Sequence, residues 1–170
     1  MLVVAGVVAT QACGPGQTTA TSSPQASAAI GDTCLVGRWN LQQDVNTTGY
    51  KINGEPVLVT GLQGAKMTFT ADGKGIEDFN GSHPLVGSLN DGSKLSITLA
   101  GSWAFGIHAD GHQYVETGPE TQLTTTATVN ASPITYQASY VPASGRYSCT
   151  FGSLTMVTNS GVQTDRWSRG

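Results

Sequence analysis

From Cys34 to the end of the chain, short runs of residues alternate between apolar and polar side chains. Alternation with a period of two places one set of side chains inside a strand-based fold and the other set in water. The apolar set falls mainly on odd positions, as in residues 65–69, 95–99 and 103–107. The pattern therefore predicts an all-β domain rather than a helical one.

Turn residues separate these runs at short intervals. Asp-Gly occurs at residues 72–73, 91–92 and 110–111, and glycine accepts the positive φ that tight hairpins need. The strands are predicted at residues 34–41, 65–70, 75–79, 95–99, 103–108, 113–117, 122–129, 134–140, 146–151, 154–158 and 165–168, and residues 56–64 fit either a strand or a short helix. Many short strands with one buried face need a sandwich or a closed barrel, and closure also removes exposed edges. We expect an antiparallel up-and-down β-barrel of about eight to ten strands.

The first 33 residues differ in composition from the rest of the chain. Residues 2–9 are apolar but too few to span a bilayer, and they match the core of a secretion signal better than a buried strand. The Ala-Cys-Gly junction at Cys13 resembles the lipobox of bacterial lipoproteins, and residues rich in Ser, Thr, Pro and Ala follow it. We predict a signal peptide at residues 1–12, a tether at residues 13–33 and the barrel domain at residues 34–170.

The three cysteines support export. Lipidation of Cys13 would explain one thiol and leave Cys34 and Cys149 to form a disulfide, while the alternative is a pair of buried free thiols. A lipid on Cys13 would hold the protein on the outer face of the bacterial cytoplasmic membrane, and without the lipid the protein would be secreted.

Charge and motifs narrow the classes of function. The net charge is −3 and only 11% of the residues are charged, so a nucleic-acid partner is disfavoured. The sequence contains neither a Gly-x-Ser-x-Gly elbow nor a phosphate-binding glycine loop, and no cofactor is predicted. We therefore expect a protein that is not an enzyme.

A few titratable residues bear on whether the protein could be an enzyme. His108 and His112 flank a turn and have some metal-ligand character, although such histidines are usually solvated, so no metal site is predicted and a metal-assisted enzyme remains a third hypothesis. Glu77 and Asp78 are adjacent in a strand and point to opposite faces, so they do not form a catalytic acid/base pair. Glu116 beside the following Gly-Pro turn is expected to be exposed.

Four stretches carry a resemblance to a known family. They are Gly37-x-Trp39, the Phe-Thr-Ala-Asp-Gly turn at residues 69–73, Tyr147-Ser-Cys149 and the final Arg166-Trp-Ser-Arg169. Together they resemble the lipocalin-like domains of secreted bacterial lipoproteins, over residues 34–170.

The resemblance implies an eight-stranded barrel whose closed end is plugged by the indole of Trp39. Gly37 would let neighbouring backbone approach, and Arg166 or Arg169 would cap the indole ring by a cation–π contact.

The resemblance and the alternation lead to a hypothesis about function. We expect a monomeric, exported envelope lipoprotein whose barrel binds a small hydrophobic or amphipathic molecule. The candidate lining residues are Met67, Phe69, Leu95, Trp103, Phe105, Tyr136 and Tyr140. The alternative is a filled barrel that acts as an interaction module through its loops.

Overall fold

A computed structural model describes residues 30–52, 55–118, 121–158 and 160–170. Within these ranges the chain forms β-strands and no helix, and hence no helix that could cross a membrane. The strands are β1 (Gly37–Ile52), β2 (Glu55–Gly61), β3 (Lys66–Phe69), β4 (Lys74–Asp78), β5 (Leu85–Ser88), β6 (Lys94–Ala100), β7 (Ser102–Asp110), β8 (Gln113–Thr117), β9 (Thr121–Gln122), β10 (Thr124–Val129), β11 (Ser132–Ile134), β12 (Ser139–Tyr140), β13 (Ser144–Cys149), β14 (Ser153–Thr158) and β15 (Gln163–Arg169).

Eight of these strands close into an antiparallel barrel. Their order around the barrel is β1, β3, β4, β7, β8, β13, β14 and β15, and β15 pairs back with β1. Neighbours in the barrel are also successive in the chain once the other strands are set aside, so the barrel is an interrupted meander. The predicted all-β antiparallel barrel is confirmed.

The remaining strands are insertions into the meander. β2, β5, β6, β10 and β11 extend the same sheet outward from the second half of β1, and β9 pairs with β12. Residues 56–64 therefore contribute a strand and not a helix. The single strand predicted at residues 134–140 is wrong, because pairing stops at Ile134 and resumes only at Ser139.

The predicted alternation is present in the strands. The odd-numbered apolar residues of residues 65–69, 95–99 and 103–107 are all buried, and the three Asp-Gly turns connect β3 to β4, β5 to β6 and β7 to β8. The core is continuous from the barrel into the extension of the sheet, where Leu85 and Ile97 are fully buried.

Trp39 and Arg169 close one end of the barrel. The Trp39 side chain is fully buried, and its indole Nε1 donates a hydrogen bond of 2.8 Å to the Leu35 carbonyl. The guanidinium carbon of Arg169 lies 4.6 Å from the centre of the indole ring, within the range of a cation–π contact. The expected arginine contact is therefore present, and Arg169 rather than Arg166 makes it.

Gly37 is needed for Arg169 to lie over the indole. Its φ is +134°, and a Cβ at this position would lie 2.8 Å from a guanidinium nitrogen of Arg169. The same guanidinium donates hydrogen bonds to the carbonyls of Cys34, at 3.1 Å, and Val36, at 2.8 Å. A side chain at position 37 would displace these contacts.

A disulfide joins Cys34 and Cys149, as predicted, with 6.1 Å between the Cα atoms. It ties the segment before β1 to the end of β13. Residues 30–33, which we assigned to the tether, pack on the barrel: Ile30 is buried, and the Tyr147 hydroxyl donates to Asp32 at 3.1 Å. The predicted signal peptide and Cys13 lie outside the described residues.

The closed end gives a first prediction. Trp39→Ala should lower the free energy of unfolding by about 3–5 kcal/mol, because it removes a large buried side chain and leaves a cavity. Arg169→Ala should cost about 1–2 kcal/mol through the loss of charged hydrogen bonds. Denaturant titration measures both, and Arg146→Ala, at an exposed arginine of β13, is the matched control. An unchanged stability for Trp39→Ala would contradict its role as the plug.

Candidate functional site

A cavity of about 420 Å³ occupies the barrel beyond Trp39. On β1 it is lined by Leu41, Asp44 and Asn46, and on β15 by Gln163 and Asp165. The β1 residues follow Trp39 along the strand. Gln163 and Asp165 pair with Asn46 and Asp44, whereas Arg169 pairs with Trp39, so the plugged end and the cavity are at different levels of the barrel.

The barrel strands β3, β4, β8 and β14 also line the cavity, and the insertions supply further walls. Leu62, Phe79 and Leu99 come from the connections that build the extension of the sheet. A second group comes from the segment between β8 and β13, which we call the cap segment (residues 121–143). Its lining residues are Leu123, Tyr136, Gln137, Ala138, Val141 and Ala143. The elements that interrupt the meander therefore cover the end of the barrel that Trp39 does not fill.

Four carboxylates face this cavity, and we call them the carboxylate cluster: Asp44 of β1, Glu77 of β4, Glu116 of β8 and Asp165 of β15. Asp44, Glu77 and Glu116 are only 2%, 6% and 7% exposed. Asp165 keeps some accessible surface because it faces the cavity space. Among the described residues that line the cavity there is no Lys, Arg or His.

Asp44 and Asp165 form the centre of the cluster. They are direct partners in the register of β1 and β15. Burial raises the pKa of both carboxyls, and the hydrogen bond to Asp165 and its charge raise the pKa of Asp44 further. Both effects favour a proton shared by the pair. The Gln163 amide donates to both oxygens of Asp165, at 3.2 and 3.0 Å.

One oxygen of this pair has no hydrogen-bond partner. Oδ1 of Asp44 is buried and accepts no bond from the described part of the protein. A buried polar atom without a partner costs about 1–3 kcal/mol. A hydrogen-bond donor placed beside Asp44 Oδ1 would therefore remove this cost.

Glu116 is buried, and the expectation that it would be exposed is wrong. It is in phase with Tyr114 on β8, where both side chains point inward. The pKa of Glu116 is raised to about 7, chiefly by burial. A 3.1 Å hydrogen bond from the Ala143 backbone N–H works against this rise, and the Asp165 charge adds to it. Glu116 therefore changes charge near neutral pH.

The candidate lining residues fall into three groups. Met67 and Tyr136 line the cavity. Phe69, Trp103 and Phe105 pack with one another instead, with Phe105 stacked on Trp103 at 4.3 Å and edge-on to Phe69 at 6.2 Å between ring centres.

The last two candidates lie elsewhere. Leu95 is buried in the extension of the sheet, on β6. The backbone of Tyr140 forms part of β12, and its side chain lies outside the described residues.

The histidines do not join the site. His108 and His112 are both exposed, and the ring of His112 lies 6.0 Å from that of Tyr147. The described ranges contain no group of three or more His, Cys, Asp or Glu side chains placed to hold a metal ion.

Sequence reasoning missed the carboxylate cluster as a group. The sequence did carry a signal for Glu77 and Glu116. Each lies two residues from a buried position of its own strand, and side chains two residues apart point to the same face. Asp165 had the same signal, since it lies two residues before the buried Trp167 of β15. Asp44 had none, because a bulge between Leu41 and Gln43 shifts the pairing of β1 with β15.

Comparison with known proteins adds no relative. No protein-family model, curated protein or solved structure matches this chain. The inferences about function below therefore depend on the site itself.

The pKa of Glu116 gives a second prediction. Because its folded value of about 7 lies above the ordinary 4.5, the folded state holds more protons, and stability should fall as pH rises through that window. The loss should approach about 3 kcal/mol. Glu116→Gln should remove this loss, so the variant should be more stable than the parent at about pH 8 and gain little at about pH 4.

Denaturant titrations of the parent and Glu116→Gln across this pH range measure the effect. Asp110→Asn, at an exposed turn, is the control and should leave the pH profile unchanged. A Glu116→Gln profile that falls as steeply as that of the parent would contradict the assignment.

Proposed function

We propose that this protein binds a small amphipathic molecule inside its barrel. The observation that carries the proposal is the cavity of about 420 Å³. Pockets for small molecules usually have roughly 300–1,000 Å³ and combine apolar walls with a few polar groups. A closed barrel with a space inside it is also the arrangement by which small barrels hold one ligand, which favours binding over catalysis as its role.

The cavity has both apolar and polar walls, which supports an amphipathic ligand. Leu41, Leu62, Met67, Phe79 and Met156 offer apolar surface for an alkyl or aromatic body. Burying such a body contributes roughly 25 cal/mol for each Å² removed from water. The carboxylate cluster and Gln137 offer hydrogen-bonding groups in the same space, so a ligand with one polar end would be oriented.

The cavity also bears on the alternative of a filled barrel that acts through its loops. The packed cluster of Phe69, Trp103 and Phe105 fills only part of the interior. An empty space has a cost, because its lining atoms lose packing contacts. Ligand binding explains why the barrel keeps this space, and we therefore favour ligand binding over a filled barrel that acts through its loops.

Blocking the cavity gives a third prediction. Ala138→Trp, at a buried position of the cap segment that lines the cavity, should reduce the affinity for alkyl amphiphiles by at least about tenfold, since the indole would occupy the ligand space. Calorimetric titration measures the affinity. Ala104→Trp, on the exposed face of β7, is the matched control and should bind as the parent does. Equal binding by the Ala138→Trp variant would contradict an interior site.

We also propose that the protein is exported and is held at the membrane by a lipid on Cys13. The disulfide between Cys34 and Cys149 indicates an oxidising environment, which supports export. We further propose that the protein acts as a monomer.

Lipidation gives a fourth prediction. A labelled fatty acid fed to the producing cells should be incorporated into the parent protein and not into Cys13→Ser, because the acyl chain needs that sulfur. Gel electrophoresis followed by detection of the label measures it. A serine variant that keeps the label would refute the anchor without affecting the proposed binding site.

A further inference from the structure

The carboxylate cluster brings acidic side chains into the barrel from four different strands, β1, β4, β8 and β15. No Lys, Arg or His stands among the described residues that line the cavity. Burial of carboxylates is costly unless they are protonated or meet a positive partner. An occupant that carries positive charge would offset this cost where the carboxyls are ionised.

Asp44 gives a second and independent indication. Its side chain is 2% exposed, it lines the cavity, and its Oδ1 accepts no hydrogen bond from the described residues. A donor placed in the cavity would satisfy this oxygen. Hydrogen bonds between a charged donor and a carboxylate are among the strongest in proteins, so an ammonium group is the best match.

The surroundings determine what kind of cation fits. The described residues contain no group of three ligands gathered on one point, which disfavours a bare metal ion. Apolar side chains and the rings of Tyr114 and Tyr136 line the same space, and aromatic faces attract organic cations. We infer that the ligand is an organic amine, whose ammonium group contacts Asp44 and Asp165 and whose apolar body lies against the cap segment. This inference rests on the proposed function.

Proton release follows from the same arrangement. The titratable groups that line the cavity together with Asp44 are Asp165 on β15, Glu77 on β4, Tyr114 and Glu116 on β8, and Tyr136 of the cap segment. Without ligand, burial favours a proton shared by the Asp44–Asp165 pair. An ammonium ion favours the charged carboxylates, so its binding should release protons, whereas a neutral ligand should release none.

The experiment compares three probes with one alkyl chain and different head groups: octylamine, octanol and octanoate. Calorimetric titration of the full chain at neutral pH, in two buffers of different ionisation enthalpy, gives both affinity and protons released. Octylamine should bind at least about tenfold more tightly than octanol, with proton release, and octanoate should bind most weakly.

Two variants test whether the preference for octylamine depends on Asp44 and Asp165. Asp44→Asn should lower octylamine affinity by about tenfold and leave octanol affinity unchanged. Asp165→Asn should act in the same way and serves as the second variant if Asp44→Asn fails to fold. Asp110→Asn, which removes an equal charge at an exposed turn, should change neither affinity.

The outcomes separate the two proposals. If none of the three probes binds, the proposed function fails, and the inference fails with it. If octanol or octanoate binds as tightly as octylamine, the amine assignment is overturned while binding inside the barrel stands. If octylamine is preferred but both asparagine variants keep that preference, the placement of the ammonium group at Asp44 and Asp165 is overturned.

Discussion

The antiparallel pairing of β1 with three other strands is the constraint on which the rest of the structure depends. The first part of β1 pairs with β3 on one side and with β15 on the other, which closes the barrel. The later part leaves β3 and pairs with β2, from which the extension of the sheet begins. One long strand therefore belongs both to the barrel and to the sheet that extends it.

The bulge in β1 links this pairing to the site. Between Leu41 and Gln43 the register with β15 shifts, so the inward positions change from odd numbers, as at Trp39, to even numbers, as at Asp44. An extra residue in one strand of an antiparallel pair reverses which face its later side chains occupy. The bulge therefore lies between an apolar plug and an acidic cavity.

The fold could be predicted from sequence because its signals are local. Alternating residues and Asp-Gly turns are read within a few positions, and they predicted the all-β barrel and its hairpins. The disulfide followed from counting three cysteines in a chain that resembles an exported protein. The division into eight barrel strands and several inserted strands could not be read in this way, since both kinds alternate alike and only long-range pairing tells them apart.

The site was harder to predict because its key residues oppose the usual rule. Acidic side chains are seldom buried, so Glu116 was expected at the surface although its phase with Tyr114 places it inside. The inward direction of Asp44 could not be predicted, because the bulge changes the inward-facing positions of β1 from odd numbers, as at Trp39, to even numbers. Apolar candidates such as Phe69 and Phe105 were plausible lining residues, yet their rings pack on each other, and sequence carries no measure of interior volume.

We propose that the barrel cavity holds a small molecule. Native mass spectrometry of the protein purified from its own host is the sharpest test, because it weighs the folded chain together with anything retained inside. We expect an adduct of one small molecule per chain that is lost on denaturation and is absent from the Ala138→Trp variant. A parent protein that always carries the mass of the bare processed chain, and that acquires no adduct when amphiphiles are added, would contradict it.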